Sequence, residues 1–205
     1  MAKTPVITLR RQAKQQRAIA TVDAIIEAAT YILTHRGPGG FTTQKIVEKA
    51  GVNVASFYQY FPNKEAVLFH IVKLTWDRQL ARLEPILRES GGSHAEKFKR
   101  FLREFFLIEA AEADLRRALR AAAIDLRETG EFQDLIETGR DLTRRFLEEA
   151  VGSQSAADLE FHINFIVLLT TSFAERTTDE GSSGELLLRQ ADLLADMLNE
   201  HFAIV

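Results

Sequence analysis

The sequence predicts an all-α protein of about nine helices. Apolar residues recur at the three- and four-residue spacing of a helix along the chain from residue 18 onward. No segment alternates polar and apolar residues with period two, and no short Val/Ile-rich run lies between turn signals, so we expect no sheet. Glycine-rich breaks, such as residues 37–40 and 91–92, divide the chain into segments of helical length.

The first two helices are separated by the Gly/Pro-rich residues 37–40. Before this break, the apolar positions of residues 22–33 follow the spacing of one buried helix face. After it, Thr42 or Thr43 can cap a short helix through a side-chain oxygen. Gly51 ends that helix, because glycine adopts the left-handed conformation without strain.

A third helix is predicted to be short and a fourth long. Asn53 can cap the third helix, which runs through Tyr60. Pro62 cannot continue it, since proline lacks an amide N–H and clashes with the preceding turn. Asn63 can then cap the fourth helix, which begins near Lys64.

Five further helices complete the predicted fold. They are expected at about residues 95–111, 115–127, 132–151, 156–178 and 184–202. Gly130 is expected to end the second of these five, and Ser155 or Asp158 to cap the fourth.

A helix, a glycine turn and a short helix follow one another in a helix-turn-helix, whose second helix enters the DNA major groove. The residues around this turn also form a longer pattern, Gly51-Val52 through Ser56-Phe57-Tyr58-x-Tyr60-Phe61-Pro62-x-Lys64-Glu65-x-x-Leu68. With the double threonine before it, the segment from about residue 18 to 69 resembles the N-terminal DNA-binding domain of TetR-type transcriptional regulators. The rest of the chain is similar to that family in length and helical character only.

The resemblance implies which side chains contact DNA. Positions of base or near-base contact are matched by Gln44, Asn53, Val54, Ala55 and Tyr60, and positions of phosphate contact by Thr43, Ser56, Tyr58 and Lys64. Helical spacing also turns Gln59 outward. The alternative is that Tyr58 and Tyr60 are packing aromatics and that Lys64 is a solvated lysine at a helix start.

Two positions depart from the family pattern. Family members often carry Lys at the place of Val54 and Gly at the place of Ala55. An apolar contact with a thymine methyl group is the chemistry that these two residues offer instead. The operator sequence therefore does not follow from the resemblance.

Charge is divided unevenly along the chain. Residues 1–64 contain nine Lys or Arg and three acids, a net charge of +6, whereas residues 65–205 carry −9. A basic region on an acidic protein is typical of phosphate binding at one end. We predict a basic flexible arm over residues 1–17, with Lys14 and Arg17 contacting DNA; the alternative is a disordered leader without that role. A helix-turn-helix domain over residues 18–69 and a ligand-binding and dimerisation domain over residues 70–205 would follow.

Composition excludes several classes of protein. The 205 residues are 46% hydrophobic and 27% charged, as in ordinary soluble globular proteins. Without cysteine there is no disulfide framework or thiolate metal site, and a cytoplasmic location fits best. The longest apolar run, residues 165–169, is too short to span a membrane, and the basic N-terminal residues lack the apolar core of a secretory signal. No enzyme motif is present and the five histidines are scattered, so we expect no enzyme, cofactor or metal.

The last two predicted helices are apolar on more than one face. Their apolar residues include Phe161, Ile163, Phe165, Ile166 and Leu168, and Leu186, Leu187, Leu193, Leu194 and Met197. Because a helix that is apolar all round must be buried all round, we predict that both pack on a second copy of the chain. The resemblance implies the same four-helix interface; the alternative is the core of a single-chain bundle. A twofold homodimer would place two reading helices about 34–36 Å apart, which suits a palindromic operator on double-stranded DNA.

The resemblance also implies a pocket for a small-molecule effector in the C-terminal region. Apolar faces with a few polar groups are typical of such sites. The candidate lining residues are Phe101, Phe105, Glu109, Asp125, Phe146, His162 and Phe165. The alternative is that the phenylalanines are core and that His162 is a satisfied core or interface residue. The phenylalanine content favours an apolar or aromatic effector.

Two functions follow from these observations. The first is a ligand-responsive homodimeric repressor, released from its operator by the effector. The second is a ligand-binding or interaction protein whose DNA-binding head is degenerate, as the residues Val54 and Ala55 suggest.

Overall fold

The computed structural model describes residues 5–10, 16–152 and 154–205, and every regular element among them is helical. The nine α-helices in this part of the chain are α1 (Gln16–Gly40), α2 (Thr43–Ala50), α3 (Val54–Tyr60), α4 (Lys64–Arg88), α5 (His94–Ala111), α6 (Ala113–Ala122), α7 (Gly130–Val151), α8 (Ala156–Asp179) and α9 (Gly184–Phe202). A 3₁₀ turn, Ile124–Leu126, lies between α6 and α7. The predicted all-α class is confirmed.

Local capping explains where α2 and α3 begin and end. The side-chain oxygen of Thr42 accepts a hydrogen bond of 3.3 Å from the backbone N–H of Lys45. Asn53 Oδ1 accepts one of 2.7 Å from the N–H of Ser56. Between the two helices, Gly51 has φ 65° and ψ 27°, the left-handed conformation that only glycine adopts readily. The predicted caps and the predicted glycine turn are confirmed.

Caps of the same kind begin the helices of the C-terminal part. Ser155 Oγ accepts a hydrogen bond of 3.1 Å from the N–H of Asp158 at the start of α8, as predicted. Ser93 and Glu96 form a reciprocal capping box at the start of α5. These side chains satisfy N–H groups that have no partner inside the helix.

Two helix ends differ from the prediction. The backbone leaves the helical conformation at Gly37, with φ 64° and ψ −175°, but one more helical turn follows and α1 continues to Gly40. The sixth helix ends at Ala122 and not near residue 127, because the chain tightens into the 3₁₀ turn. Gly130, which was expected to end this helix, is instead the first residue of α7.

The described residues divide into two compact units, which we call the head and the body. The head comprises the chain through Trp76 together with Asp114–Leu135, and the body comprises Asp77–Ala113 and Ile136–Val205. The three boundaries between them all fall inside a helix: α4 after Trp76, α6 after Ala113 and α7 after Leu135. The predicted division at residue 70 assigned residues 114–135 to the C-terminal domain, whereas these residues pack with the N-terminal helices.

Each unit has its own apolar core. The core of the head contains Ile25, Phe57 and Phe61, and residues of the 114–135 segment such as Leu126 are buried in the same cluster. In the body, α5 packs against α8 and α9, around the side chains of Leu102, Phe106, Leu147, Ile163 and Ala191. Burying one such large apolar side chain contributes about 1.5–3 kcal/mol, so each core can hold its unit together.

None of the helices that the structure describes is both long and apolar enough to cross a membrane.

Candidate nucleic-acid interface

Helix α3 is a short helix with one anchored face and one open face. Phe57 is fully buried in the core of the head, where its ring lies 5.8 Å from that of Phe61. Val54, Ala55 and Gln59 of the same helix are all exposed. A helix held on one side and open on the other can enter a groove without losing its attachment to the protein.

The open face of α3 continues onto the start of α2 and the turn before α3. Gln44 and Asn53 are exposed there. We call the five exposed residues predicted to approach base edges or to lie beside them the reading surface: Gln44, Asn53, Val54, Ala55 and Gln59. Three of its members carry side-chain amides: Asn53, whose Oδ1 already caps α3, and Gln44 and Gln59, which can both donate and accept hydrogen bonds as base recognition requires.

Tyr60 is the predicted reading residue that the structure places elsewhere. Only 9% of it is exposed, and its ring belongs to the core of the head. The reason is periodicity, because Tyr60 follows Phe57 by three residues and therefore shares its face of α3. Its packing corresponds to the alternative of a structural aromatic.

The side chains predicted to contact phosphates remain accessible to differing degrees. Tyr58 is 41% exposed, whereas Thr43, Ser56 and Lys64 are half-buried. Lys64 Nζ lies 3.9 Å from Glu65 Oε1, at the limit of an ion pair. Such a long, solvated contact contributes little, so this ammonium group can still bind an anion at the start of α4.

The N-terminal basic arm is only partly as predicted. Lys14 lies outside the described residues, and Arg17 is exposed in the first turn of α1. Residues 5–10, however, are not a free arm: Ile7 is 1% exposed and lies in the core of the head. An apolar side chain in a polar segment gains free energy by docking onto the head.

Arg10 is a residue that the sequence did not single out for this surface. Its backbone N–H donates a hydrogen bond of 2.8 Å to the carbonyl of Tyr60, and its Nη1 lies 3.4 Å from the carbonyl oxygen of Tyr58. It is thereby placed at the C-terminal end of α3. The apolar residues Val6, Ile7 and Leu9 were the signal that this part of the arm could dock.

The candidate effector residues lie in different environments. Phe105 and Phe146 are buried in the body core, with Phe101 packed against it. The Phe98 ring stacks on Phe101 at 6.2 Å and on Phe146 at 5.2 Å, so this aromatic group is already packed.

The remaining four candidates are dispersed. Glu109 is buried on α5, and Phe165 on α8 is 43% exposed. His162 hydrogen bonds to Gln154 and lies 4.9 Å from the Phe202 ring, as in a satisfied histidine. Asp125 is exposed and belongs to the head, unlike the other six candidates.

A cleft of about 200 Å³ lies in the body between α4 and α7. The residues that line it are Leu80, Glu84, Thr138, Asp141, Leu142 and Arg145. None of the seven predicted effector residues is among them. Sequence periodicity cannot reveal such a cleft, because it depends on how closely two helices approach.

Helices α8 and α9 each expose a row of large apolar side chains. On α8 these are Phe161, Phe165 and Leu168, and on α9 Leu186, Leu193 and Met197. We call these six residues the apolar stripe. Their spacings of three, four and seven residues put each group on one side of its helix.

The polar side of α8 is tied to α7 by ion pairs. Arg144 Nη2 lies 2.8 Å from Glu160 Oε1, and Arg140 Nη2 lies 2.9 Å from Glu160 Oε2. The hydrogen bond from Arg144 lowers the pKa of Glu160 below its ordinary value, and the same bond raises the pKa of Arg144. Both arginines are thus engaged in holding two helices together.

A metal site of at least three His, Cys, Asp or Glu side chains is not found within residues 5–10, 16–152 and 154–205.

Comparison with known proteins agrees with this geometry. Residues 25–71 match the family described as bacterial regulatory proteins, tetR family. A sequence comparison with curated proteins finds no significant match.

Three solved structures illustrate the similarity in fold. A TetR-like transcriptional regulator from Rhodococcus sp. RHA1 is 21% identical, with a TM-score of 0.69 over 93% of this chain and 99% of that one. FadR from Bacillus subtilis, solved in complex with stearoyl-CoA, is 18% identical, with a TM-score of 0.69 over 86% and 96%. SmeT, the repressor of the Stenotrophomonas maltophilia multidrug efflux pump SmeDEF, is 20% identical, with a TM-score of 0.67 over 91% and 92%.

The family match covers the helix-turn-helix, and the structural similarity extends over the remaining helices. The family match is to the tetR family and is confined to residues 25–71, whereas the similarity to the solved structures is one of fold over nearly the whole chain.

Proposed function

We propose that this protein is a DNA-binding transcriptional regulator of the TetR family, a homodimeric repressor that binds a palindromic operator and is released by a small apolar or aromatic effector. The observation that carries the proposal is the reading surface, whose five residues are exposed while Phe57 anchors the helix behind them. Direct readout requires side chains that are free to meet base edges and a helix that does not move when they do.

The apolar stripe supports the homodimer. Six large apolar side chains on two adjacent helices face solvent in the single chain, and the exposure of this apolar surface to water is unfavourable in free energy. A second copy offers the same stripe, so a twofold axis covers both at once. Pairing through α8 and α9 would give the protein two reading surfaces for the two halves of a palindrome.

The effector is proposed for the body. Its candidate side chains Phe101, Phe105 and Phe146 are packed now, so a ligand among them would have to repack the aromatic group. A ligand that binds only the repacked state shifts the equilibrium toward it, which is what release from DNA requires. Helix α4 runs unbroken from the head into the body and is the element through which we propose this coupling.

Similar proteins make an apolar effector reasonable. The Bacillus subtilis FadR structure contains stearoyl-CoA, and SmeT represses a multidrug efflux pump. In this proposal the chain acts in the cytoplasm on double-stranded DNA, as a regulator that needs no catalytic residue and no cofactor.

DNA binding is tested by letting the purified chain select duplexes from a random-sequence library. We expect enrichment of one inverted repeat, bound with an affinity that falls steeply as salt rises. Gln44→Ala should weaken binding of the enriched duplex by about 1–3 kcal/mol for each base that glutamine no longer reads. Gln133→Ala, which removes an exposed glutamine from α7, is the matched control and should bind as the wild type does.

The same experiment separates the second function. A ligand-binding or interaction protein with a degenerate head would enrich no duplex, and Gln44→Ala would leave its binding properties unchanged. The residues Val54 and Ala55 favour that alternative, because both depart from the family pattern and Val54 stands where family members often carry a lysine cation. Enrichment of an inverted repeat by the wild-type chain would exclude it.

The effector is tested on the enriched complex. Stearoyl-CoA and a planar aromatic compound are two probes that represent acyl and aromatic ligands. We expect at least one apolar compound of these classes to release the duplex. Failure of every apolar probe, with release by a polar metabolite, would contradict the proposed class of effector.

A further inference from the structure

Residues 5–10 are attached to the head at three points. The carbonyl of Val6 accepts a hydrogen bond of 2.9 Å from Asn63 Nδ2. Ile7 is buried in the core of the head, and the N–H of Arg10 donates to the carbonyl of Tyr60. Two backbone attachments on either side of a buried side chain define one conformation for this segment.

Asn63 joins residues 5–10 to the start of α4, because its side chain makes one hydrogen bond to each. Its Oδ1 accepts a hydrogen bond of 2.7 Å from the N–H of Ala66 and so caps α4, while its Nδ2 holds Val6. One amide therefore uses its acceptor for the helix and its donor for the N-terminal segment. A side chain that can cap but cannot reach Val6 would separate these roles.

Arg10 is held next to exposed residues of α3. Its backbone is bonded at Tyr60 and its guanidinium group lies near the carbonyl of Tyr58, so the residue brackets Gln59 of the reading surface. Arg10 itself is exposed. The contact with Tyr58 is long and uses one N–H of the five that a guanidinium group carries, which leaves most of its donors for another partner.

A cation in this place can have two roles. It can satisfy carbonyl groups at the end of α3, which have no partner within the helix. It can also bind a phosphate, for which the planar fork of arginine is well shaped. The first role needs only a hydrogen-bond donor, whereas the second needs the positive charge, and this difference makes them separable.

We propose that residues 5–10 are a fixed part of the DNA-binding surface and that Arg10 contacts an operator phosphate beside the groove that α3 enters. The inference rests on the proposed function and adds a contact to it. Docking of Ile7 places Arg10 before DNA arrives, so the contact forms without ordering a free arm. Arg10 is therefore a binding residue, and Ile7 and Asn63 are positioning residues.

The charge is tested with Arg10→Gln on the duplex that the wild-type chain enriches. Glutamine still offers a donor toward Tyr58 but carries no charge. We expect the dissociation constant to rise on the order of tenfold per subunit near 0.1 M salt, and the slope of log K against log salt to fall by about 0.9 for each phosphate that is no longer neutralised. Arg100→Gln, which removes the charge of an exposed arginine on α5, is the matched control and should change neither quantity.

The positioning is tested with Asn63→Ser and Ile7→Ser. Serine at position 63 retains a cap for α4, adds no charge and is too short to hold Val6. We expect each variant to bind DNA about as weakly as Arg10→Gln, and each double variant with Arg10→Gln to be little weaker than the single ones. If Ile7→Ser fails to fold in a thermal unfolding assay, the result for Asn63→Ser alone decides whether docking of residues 5–10 positions Arg10.

Three results would overturn the inference. Equal DNA binding by Arg10→Gln and the Arg100→Gln control would show that Arg10 only donates a hydrogen bond within the protein and does not bind a phosphate. Full additivity of Asn63→Ser with Arg10→Gln would show that the charge acts without docking. If the wild-type chain enriches no duplex at all, the proposed function fails as well, and this outcome is distinguished by the wild-type measurement alone.

Discussion

The reading surface and the apolar stripe are both exposed, but they differ in what their side chains offer to a partner. On the reading surface, Gln44 and Gln59 present amides on a short helix and its neighbour. On the stripe, residues such as Leu168 and Leu193 are 67% and 61% exposed and offer no hydrogen bond at all. Amide side chains exchange bonds with water or with bases at little net cost, whereas apolar surface gains free energy only when it is covered.

Exposure therefore has two different physical consequences in this chain. A polar exposed face is stable without its partner and selects it by hydrogen-bond pattern. An exposed apolar face is not at its lowest free energy alone, so its partner should be bound at all times. The dimer would then be permanent and the DNA complex reversible.

The largest expected effect comes from placing a charge in the apolar stripe. Leu193→Glu would put one carboxylate from each subunit into the proposed interface, and a buried charge without a partner costs several kcal/mol. We expect monomers in sedimentation velocity, and a loss of operator affinity of about 100-fold or more because two linked heads bind more tightly than one.

Leu107→Glu provides the control for that experiment. Leu107 is also an exposed leucine of the body, but it lies on α5 and outside the stripe. This variant should remain a dimer and bind DNA normally. Dimers of undiminished stability in Leu193→Glu would show that the stripe is not the interface.

The next effect concerns the turn of the head. Gly51 has φ 65° with no atom within 4 Å of an added Cβ, so alanine there suffers backbone strain only. We expect Gly51→Ala to lower the free energy of unfolding by about 1–2 kcal/mol. Gly130→Ala is the counterpart, since that position is helical with equal space, and it should stabilise the protein by about 0.5–1 kcal/mol. Equal effects in chemical denaturation would refute the role of the left-handed turn.

A smaller effect compares two caps. Thr42→Ala and Ser155→Ala each remove one side-chain acceptor from a helix start, so both should destabilise the protein by about 0.5–2 kcal/mol. Only Thr42→Ala should also weaken operator binding, because α2 carries Gln44. The measurement pairs thermal unfolding with a mobility shift. A loss of operator affinity in Ser155→Ala as large as in Thr42→Ala would contradict the proposal that base recognition depends on the head and not on the start of α8.

The smallest effect is the pH dependence of the ion pairs on α8. Because the pKa of Glu160 is lowered in the folded protein from its ordinary value of 4.5, its contribution to stability is present above that pH. The contribution is lost as pH falls through the lower, folded-state pKa. Glu160→Gln should therefore have a lower melting temperature than the wild type at neutral pH. The difference between the two melting temperatures should disappear in acid. A difference that widens in acid would contradict the direction of the shift.

The head was largely predictable because its signals are local. Thr42, Asn53 and Asn63 cap helices within three residues of themselves, and Gly51 determines the turn by its own conformation. Tyr60 lies in the core of the head, as its three-residue spacing from Phe57 indicates, whereas the resemblance alone predicted it at the DNA.

The docked N-terminal segment was harder to predict. Its bonds join residues 48 to 57 positions apart, as between Arg10 and Tyr58 or Val6 and Asn63. No local spacing encodes such contacts. The apolar character of Ile7 was visible in the sequence, but the site that receives it was not.

In the body, helix positions were predictable and side-chain environments were not. Helical spacing shows that Phe101, Phe105 and Phe146 face inward, but not whether they enclose a cavity or stack on one another. Asp125 was assigned to the wrong neighbourhood for a similar reason, since the return of residues 114–135 to the head is a long-range event.

The proposed pairing of two heads is tested by the mass of the protein–DNA complex formed on the duplex that the wild-type chain enriches. We predict two chains on one duplex, and an enriched sequence that is an inverted repeat with half-site centres about one helical turn apart. One chain per duplex, or an enriched site without inverted symmetry, would contradict the claim that α8 and α9 join two heads for a single operator.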